Sequence, residues 1–230
     1  MDNLSSLQYV PLPESMQPML KDYLEVRCRY QAAIRLIRAR LETLDEEFSI
    51  RNKRNPIHSM QHRLKTVPSM MEKLQRRGLP ANIASAVRNL TDIAGVRVIC
   101  SYIQDIYTVA DALTSQNDIR VIRIRDYIKS PKPNGYRSLH LVLEVPVFLR
   151  RERVSVPVEV QIRTIAMDFW ATLEHTLRYK VPGGVPGRIS DELLLTANDI
   201  AALDQRMQRI HDQLEGIEDS QAHPIVYPPR

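Results

Sequence analysis

Alternating apolar and polar residues predict β-strands in the middle of the chain. The clearest case is 154–163, VSVPVEVQIR, where every second residue is Val or Ile and the positions between include Glu159, Gln161 and Arg163. The same period of two runs through 96–102, 119–128 and 138–147, whose polar positions hold Arg97, Arg123, Arg125, Ser138 and His140. Successive side chains point to opposite faces of a strand, so each segment has one apolar and one polar face. In a shared sheet the polar faces would line one cleft; the alternative is an ordinary sheet with one solvated face.

Apolar residues that recur at steps of three and four predict long helices at both ends of the chain. The first helix covers 14–48, with a seam of Tyr30, Ile34, Ile37, Leu41, Leu44 and Phe48. The second follows Ser190 as N-cap and has a seam of Leu193, Ala197, Ile200, Leu203, Met207, Ile210, Leu214 and Ile217. Shorter helices are predicted near 104–115 and 164–180, with a loop at 181–187. Each seam fits either packing on its own domain or an oligomer contact.

The segment 125–140, RDYIKSPKPNGYRSLH, concentrates positive charge around one glycine and an aromatic ring. Arg125, Lys129, Lys132 and Arg137 surround Tyr136 and its neighbouring glycine. Such a loop suits a ligand that has phosphates at one end and a flat base at the other. A hairpin loop with ordinary solvated charge has the same composition, and the loop alone does not separate the two.

Composition and charge narrow the class of partner. The net charge is only +5, which fits a nucleotide better than a dedicated DNA-binding surface. The two cysteines, Cys28 and Cys100, offer neither a disulfide framework nor a metal-ligand spacing, so a reducing cytoplasm is expected. The sequence has no signal-peptide pattern and no apolar run that approaches the ~20 residues of a membrane span.

Two carboxylates and a second basic cluster are the remaining candidates for chemistry. Asp92 precedes the first strand of the alternating set, and Glu159 lies on the polar face of the last. Together they could hold a Mg²⁺ that bridges phosphate oxygens, although Asp92 also suits a turn cap. The segment 62–78 places Arg63, Lys65 and Lys73 on or before a short helix, which is equally typical of a wet helix face. His58 and His62, at helical spacing, are expected to be structural.

Three ordered motifs give the chain a specific resemblance. DIAGVRV, RDYIKSPKPNGYRSLH and VEVQIRTIAMDFWATLEH together resemble the synthetase domain of the Rel/Spo alarmone enzymes, and the length is similar to that of the small stand-alone synthetases. The resemblance implies an α+β, nucleotidyltransferase-like fold: a mixed, mostly antiparallel central sheet flanked by helices, with long helices at both ends. It predicts a single domain over 14–217, between a flexible N-terminus (1–13) and a flexible tail (218–230).

The resemblance also implies an activity and a set of site residues. The activity is transfer of the β,γ-pyrophosphate of ATP to the ribose 3′-OH of GTP or GDP, with Mg²⁺ bound by the catalytic carboxylates Asp92 and Glu159. The implied ATP-binding residues are Arg63, Lys65, Lys73 and Arg97. The implied GTP/GDP-binding residues are Arg125, Lys129, Lys132, Asn134, Tyr136, His140, Gln161, Arg163 and Asp168, with Tyr136 stacked on guanine.

Asp168 departs from the family pattern, because many small synthetases have Asn there. The apolar stripe of its helix is predicted as Ala166, Phe169 or Trp170, Leu173 and Leu177, which leaves Asp168 free to accept the two adjacent donors of guanine. The alternative is a carboxylate favoured by the helix dipole. The resemblance further implies a homotetramer; RNA is a possible partner that nothing in the sequence indicates. A catalytically silent nucleotide- or RNA-binding regulator, and a helical scaffold, are the competing functions.

Overall fold

A computed structural model describes residues 17–52, 54–179 and 186–221. The helices are α1 (Gln17–Asn52), α2 (Val67–Arg76), α3 (Ile83–Asn89), α4 (Ile103–Thr114), α5 (Ile165–Tyr179) and α6 (Gly187–Gln221). The strands are β1 (Ile57–Leu64), β2 (Ala94–Cys100), β3 (Arg120–Asp126), β4 (Leu139–Phe148) and β5 (Arg153–Thr164). The predicted flexible N-terminus, the last nine residues of the predicted tail (222–230) and most of the predicted loop 181–187 lie outside the described residues.

The five strands form one sheet in the order β1-β2-β5-β4-β3. The β2–β5 pair is parallel and the other three pairs are antiparallel, which confirms the mixed, mostly antiparallel sheet. The last strand in sequence, β5, therefore lies at the centre, between β2 and β4. Its alternating Val and Ile residues are buried from Val156 to Ile162, as the period of two predicts.

The apolar face of the sheet is covered mainly by α1 and α4. Tyr30, Ile34, Ile37 and Leu41 of α1 are buried against the strands, so the N-terminal seam packs on its own domain. Burial of side chains of this size contributes about 1.5–3 kcal/mol each. The opposite face of the sheet is left to polar residues.

The structure differs from the sequence-based prediction in several local features. Strand β1 was not predicted, and His58 and His62, which stand at helical spacing, both lie on this edge strand. The short helix α3 was not predicted either. Ser190 is not an N-cap, because α6 begins at Gly187 and the Ser190 amide already donates to the carbonyl of Pro186. At its other end α6 continues to Gln221, past the boundary expected at 217.

The apolar stripe predicted for α5 also differs from the buried one. The helix buries Met167, Trp170 and Ala171, whereas Phe169 and Leu173 are 58% and 48% exposed. On α6 the predicted seam divides in the same way. Its first part packs against Trp170 through Leu193, Ala197 and Ile200, and its later part is exposed at Leu203, Met207, Ile210 and Leu214. Among the described residues, both helices thus carry an apolar face that is about half exposed.

Within the described residues, no helix is both long and apolar enough to cross a membrane.

Candidate active site

The polar faces of the strands join in a continuous row across the whole sheet. In the order β1, β2, β5, β4, β3, its members are Gln61, Arg97, Gln161, His140 and Arg125. A neighbouring row contains Arg63, Gly95 and Glu159 on β1, β2 and β5. The polar cleft expected from the alternation is therefore present, and the missed strand β1 supplies one of its walls.

A cleft of about 80 Å³ opens over the β1–β2–β5 part of these rows, with Arg63, Arg97 and Glu159 among its lining residues. A Cβ on Gly95 would lie 3.5 Å from Cγ of Arg63. The Arg63 side chain therefore packs over the position where any other residue would have a side chain. Burial lowers the pKa of Arg97, and the nearby charge of Arg163 lowers it further. The two arginines assigned to adenine thus lie on adjacent strands at one end of the site.

Asp92, which lies just before β2, is held by two lysines. Its Oδ2 accepts from Nζ of Lys65 at 2.9 Å and from Nζ of Lys73 at 2.6 Å. Burial raises the pKa of Asp92, but the hydrogen bonds and charges of the lysines outweigh burial and hold the pKa below its ordinary value. The other oxygen, Oδ1, is buried and has no hydrogen-bond partner among the described residues.

This unpartnered oxygen fits a magnesium ligand. Mg²⁺ prefers hard oxygen donors and is usually held by one or two carboxylates together with substrate phosphates. Glu159 is close enough for the charge of Asp92 to act on its pKa. No cluster of three or more His, Cys, Asp or Glu capable of holding a metal occurs in the described part of the chain, so a site here would depend on two carboxylates and the nucleotide.

Glu159 lies on β5 between two hydrogen-bonding neighbours. Its Oε2 accepts from Nε2 of Gln161 at 2.8 Å, and its Oε1 is 3.6 Å from Nδ1 of His140. Burial raises the pKa of Glu159, yet His140 and Gln161 together bring it below its ordinary value. Burial lowers the pKa of His140. At neutral pH the pair is thus an ionised carboxylate beside a neutral imidazole.

Arg163 connects this pair to the aromatic ring of the loop. Its NH2 donates to the Tyr136 hydroxyl at 2.7 Å and to Oε1 of Gln161 at 2.6 Å. The Tyr136 hydroxyl lies 2.7 Å from Nε2 of His140. Because the tyrosine oxygen accepts from Arg163, its own proton can go to Nε2, and the Nδ1 proton of His140 then faces Glu159. The Tyr136 ring is thereby joined to the Glu159 carboxylate.

Asp168 completes the network on the opposite side. Its Oδ1 is 3.1 Å from NH1 of Arg163 and 3.2 Å from NH1 of Arg97. The Arg163 side chain is only 4% exposed, so Asp168 serves as its counter-ion in a largely dry environment. Asp168 contacts Arg97, which lines the cleft, and one of its two oxygens is already occupied by arginines.

The basic loop surrounds the Tyr136 ring with cations. Nζ of Lys132 is 4.5 Å from the ring centroid, and the Arg163 guanidinium is 5.1 Å away. Arg125 is exposed on β3 with NH1 3.4 Å from the Tyr127 hydroxyl, and the exposed Lys129 lies over the Tyr107 ring. Lys132, Arg125 and Lys129 are therefore available to phosphates at the edge of the cleft.

Asn134 and Arg137 belong to the loop but face away from this edge. Asn134 donates from Nδ2 to Glu174 of α5 at 3.0 Å and accepts from the Tyr136 amide at 3.3 Å. Arg137 donates to α6. The structure therefore shows Asn134 in a contact that shapes the loop. Gln61 and Glu174 were not predicted as site residues. Gln61 could have been found from its spacing, because it lies two residues before Arg63 and therefore on the same face of a strand.

Comparison with known proteins identifies the family. The signature described as "Region found in RelA / SpoT proteins" matches residues 62–183, which is more than half of the chain. The chain belongs to the RelA/SpoT family. The match begins near the end of β1 and extends past the end of α5, and it includes Asp92, Tyr136 and Glu159.

Relatives of this RelA/SpoT chain are similar over most of their length. It is 38% identical to the GTP pyrophosphokinase YwaC of Bacillus subtilis over 88% of this chain and 96% of that protein. It is 34% identical to the GTP pyrophosphokinase YjbM of the same organism over 81% and 87%. The small alarmone synthetase 1 of Bacillus subtilis bound to its product pppGpp superposes with a TM-score of 0.77 and 33% identity, covering 84% of this chain and 98% of that one.

Proposed function

We propose that this protein is a GTP pyrophosphokinase that makes the alarmones pppGpp and ppGpp from ATP and GTP or GDP. The ribose 3′-oxygen of the acceptor attacks the β-phosphorus of ATP, the bond from that phosphorus to the α,β-bridging oxygen breaks, and AMP leaves. The observation that carries the proposal is one polar sheet face with three parts: a cleft lined by Arg63, Arg97 and Glu159, the carboxylate Asp92 whose charge acts on Glu159, and a basic loop whose Tyr136 is linked to Glu159 through His140. Such a transfer depends on positioning and charge neutralisation rather than on a protein nucleophile.

The donor side is formed by β1, β2 and α2. We assign adenine to the space between Arg63 and Arg97, which line the same cleft. Lys65 and Lys73 now neutralise Asp92, and both ammonium groups are placed to turn toward phosphates that arrive at that carboxylate. Asp92 and Glu159 would hold Mg²⁺, which would neutralise charge on the transferred phosphates.

The acceptor side is formed by the loop between β3 and β4. Tyr136 provides a stacking surface for guanine, and Lys132, Arg125 and Lys129 surround the position of its phosphates. Glu159 is ionised and lies on the central strand between the two sides, where it can accept the 3′-hydroxyl proton. We assign His140 and Gln161 to holding Glu159 rather than to direct phosphate contact, because both face that carboxylate.

Two exposed apolar faces support a homo-oligomer, for which the family resemblance suggests a tetramer. One is formed by Phe169 and Leu173 of α5, and the other by Leu203, Met207 and Ile210 of α6. Exposed apolar stripes of this kind commonly mark protein interfaces. Native mass spectrometry of the wild type and of Leu173→Glu and Met207→Glu tests this. A monomeric wild type would contradict the oligomer without affecting the assignment of activity.

The activity is tested by incubating the protein with ATP, labelled GTP or GDP, and Mg²⁺, followed by thin-layer separation. Formation of pppGpp or ppGpp together with an equal amount of AMP is expected, and chelation of Mg²⁺ with EDTA should stop it. Glu192→Gln, an exposed carboxylate on α6, serves as the control for loss of a single charge. Tight nucleotide binding without product would instead favour a silent regulator on the same fold.

A further inference from the structure

The C-terminal helix α6 contacts the acceptor loop directly, although it lies wholly beyond residues 62–183 that match the family signature. The contact involves Gly135 and Arg137, which flank Tyr136 on the loop. On α6 it involves Leu194, Ala197 and Asn198. We call this contact the loop seat.

The steric half of the loop seat is a close approach of Gly135 to α6. Gly135 has a φ of +86°, a conformation that glycine adopts without strain. A Cβ built on it would lie 2.5 Å from Cβ of Ala197, a distance that real side chains do not tolerate. Only glycine on the loop and a small residue on the helix allow the two backbones to approach this closely.

The polar half of the loop seat is Arg137. Its NH1 donates to the carbonyl of Gly135 at 3.0 Å and to the carbonyl of Ala197 at 3.2 Å, and its NH2 donates to Oδ1 of Asn198 at 3.2 Å. One side chain thus ties the loop backbone to the helix. Its donors are directed toward α6 and not toward the phosphate edge that Lys132 and Arg125 occupy.

The Tyr136 ring is supported by the same helix pair. Trp170 of α5 and Ala197 of α6 form a small apolar cluster, and Tyr136 packs against it. Trp170 donates from Nε1 to the carbonyl of Leu193, which fixes α5 against α6. Asp204 holds the next turns of α6 to Thr164 at the end of β5. The position of the Tyr136 ring is therefore set by two contacts: packing against the α5–α6 cluster, and the hydrogen bond from Arg163 to its hydroxyl.

We infer that Arg137 and Asn198 are positioning residues for the guanine nucleotide, and that α6 is a functional part of the acceptor site. This inference rests on the proposed function. The loop seat fixes the plane of Tyr136 before the nucleotide arrives, so that stacking does not have to order the loop. Disturbing the loop seat should weaken the binding of GTP. It should leave the binding of ATP unchanged, because we assign ATP to β1 and β2.

The test uses Asn198→Ala in the full-length protein. Asn198 is exposed, so its truncation should not prevent folding. The KM for GTP should rise about three- to tenfold, the net effect of one ordinary hydrogen bond at an exposed position, and the KM for ATP should change less than twofold. Asp199→Ala, the adjacent exposed residue, is the matched control and should leave both KM values unchanged.

A double-variant experiment separates positioning from a general effect on α6. In an Arg137→Ala background, Asn198→Ala should have almost no further effect, because the partner of the asparagine is already gone. Additive effects, an equal rise in both KM values, or no change in the KM for GTP would overturn the inference.

Calorimetric titration with GTP distinguishes failure of this inference from failure of the proposed function. If the wild type makes no alarmone but Asn198→Ala weakens GTP binding, the proposed function fails and the loop seat is supported. If the wild type makes alarmone and Asn198→Ala changes neither the KM nor the Kd for GTP, only the loop seat fails.

Discussion

Substitution of Tyr136 can separate what its ring does from what its hydroxyl does. Stacking of a base on an aromatic side chain is worth ~1–3 kcal/mol. In the free protein, however, the Lys132 ammonium lies 4.5 Å from the ring centroid, and guanine has to displace it. A cation–π contact at an exposed site is worth ~0.5–1 kcal/mol. The difference spans about 0–2.5 kcal/mol, and its midpoint, about 1.3 kcal/mol, corresponds to roughly tenfold in acceptor affinity.

Tyr136→Ala should therefore raise the KM for GTP by roughly tenfold, with the KM for ATP unchanged. Tyr136→Phe keeps the ring but removes the oxygen that links Arg163 to His140. We expect Tyr136→Phe to change the KM for GTP by less than about threefold and to lower kcat by roughly five- to tenfold, since Glu159 loses the support that reaches it through His140. Initial rates with each nucleotide varied at saturating concentrations of the other provide the measurement. An equal rise of both KM values in Tyr136→Ala would refute the assignment of the ring to guanine.

Three further substitutions test other parts of the site and its support. Glu159→Gln should abolish synthesis while leaving the melting temperature within a few degrees, because Gln retains an acceptor for Gln161; full activity would contradict its catalytic role. Asp168→Ala should reduce the preference for GTP over ITP, which lacks only the exocyclic amine, and should also raise the KM for ATP because Arg97 loses its counter-ion. An unchanged preference for GTP would show that Asp168 does not read guanine. Burial raises the pKa of Asp204, with Thr164 partly opposing, so the folded protein retains this proton at pH values where the unfolded chain releases it. The contribution of Asp204 to stability therefore falls as the pH rises above about 4, the ordinary pKa of Asp. The unfolding free energy of Asp204→Asn, relative to that of the wild type, should thus be higher at pH 7 than at pH 4. Urea denaturation at both pH values measures this difference, and the same difference at the two pH values would contradict the prediction.

The strands that matter most could be predicted because their two faces differ strongly. In β5 the alternation of Val with Glu159, Gln161 and Arg163 specifies both the strand and the side of the sheet that carries the chemistry. The edge strand β1, IHSMQHRL, has no such contrast, since it is paired on one side only and most of its side chains are exposed. Its contribution to the cleft, Gln61 and Arg63, depends on pairing with β2, which local sequence does not encode.

The buried face of α5 could not be predicted, for a different reason. The helix has two apolar faces, and the pattern alone does not say which one is buried in its own chain. The predicted stripe leaves Phe169 and Trp170 as alternatives beside Leu173; Trp170 is buried because α6 covers it, while Phe169 and Leu173 are exposed. Likewise, Arg137 appears in the sequence as one more cation of a basic loop. Its direction is set by a helix some sixty residues further along the chain, so only the structure shows it.

The central position of β5 has a consequence for the order in which the site is assembled. Its partners are β4, which directly precedes it, and β2, whose residues 94–100 pair with residues 158–164. Contacts between residues so far apart in sequence form late, because a long loop must close first. Until β5 inserts, β2 and β4 present open edges, and Glu159 is not within reach of the charge of Asp92. If these two carboxylates act as proposed, a growing chain cannot begin pyrophosphate transfer before β5 has been made, and we expect the step that fills this gap in the sheet to limit the folding rate.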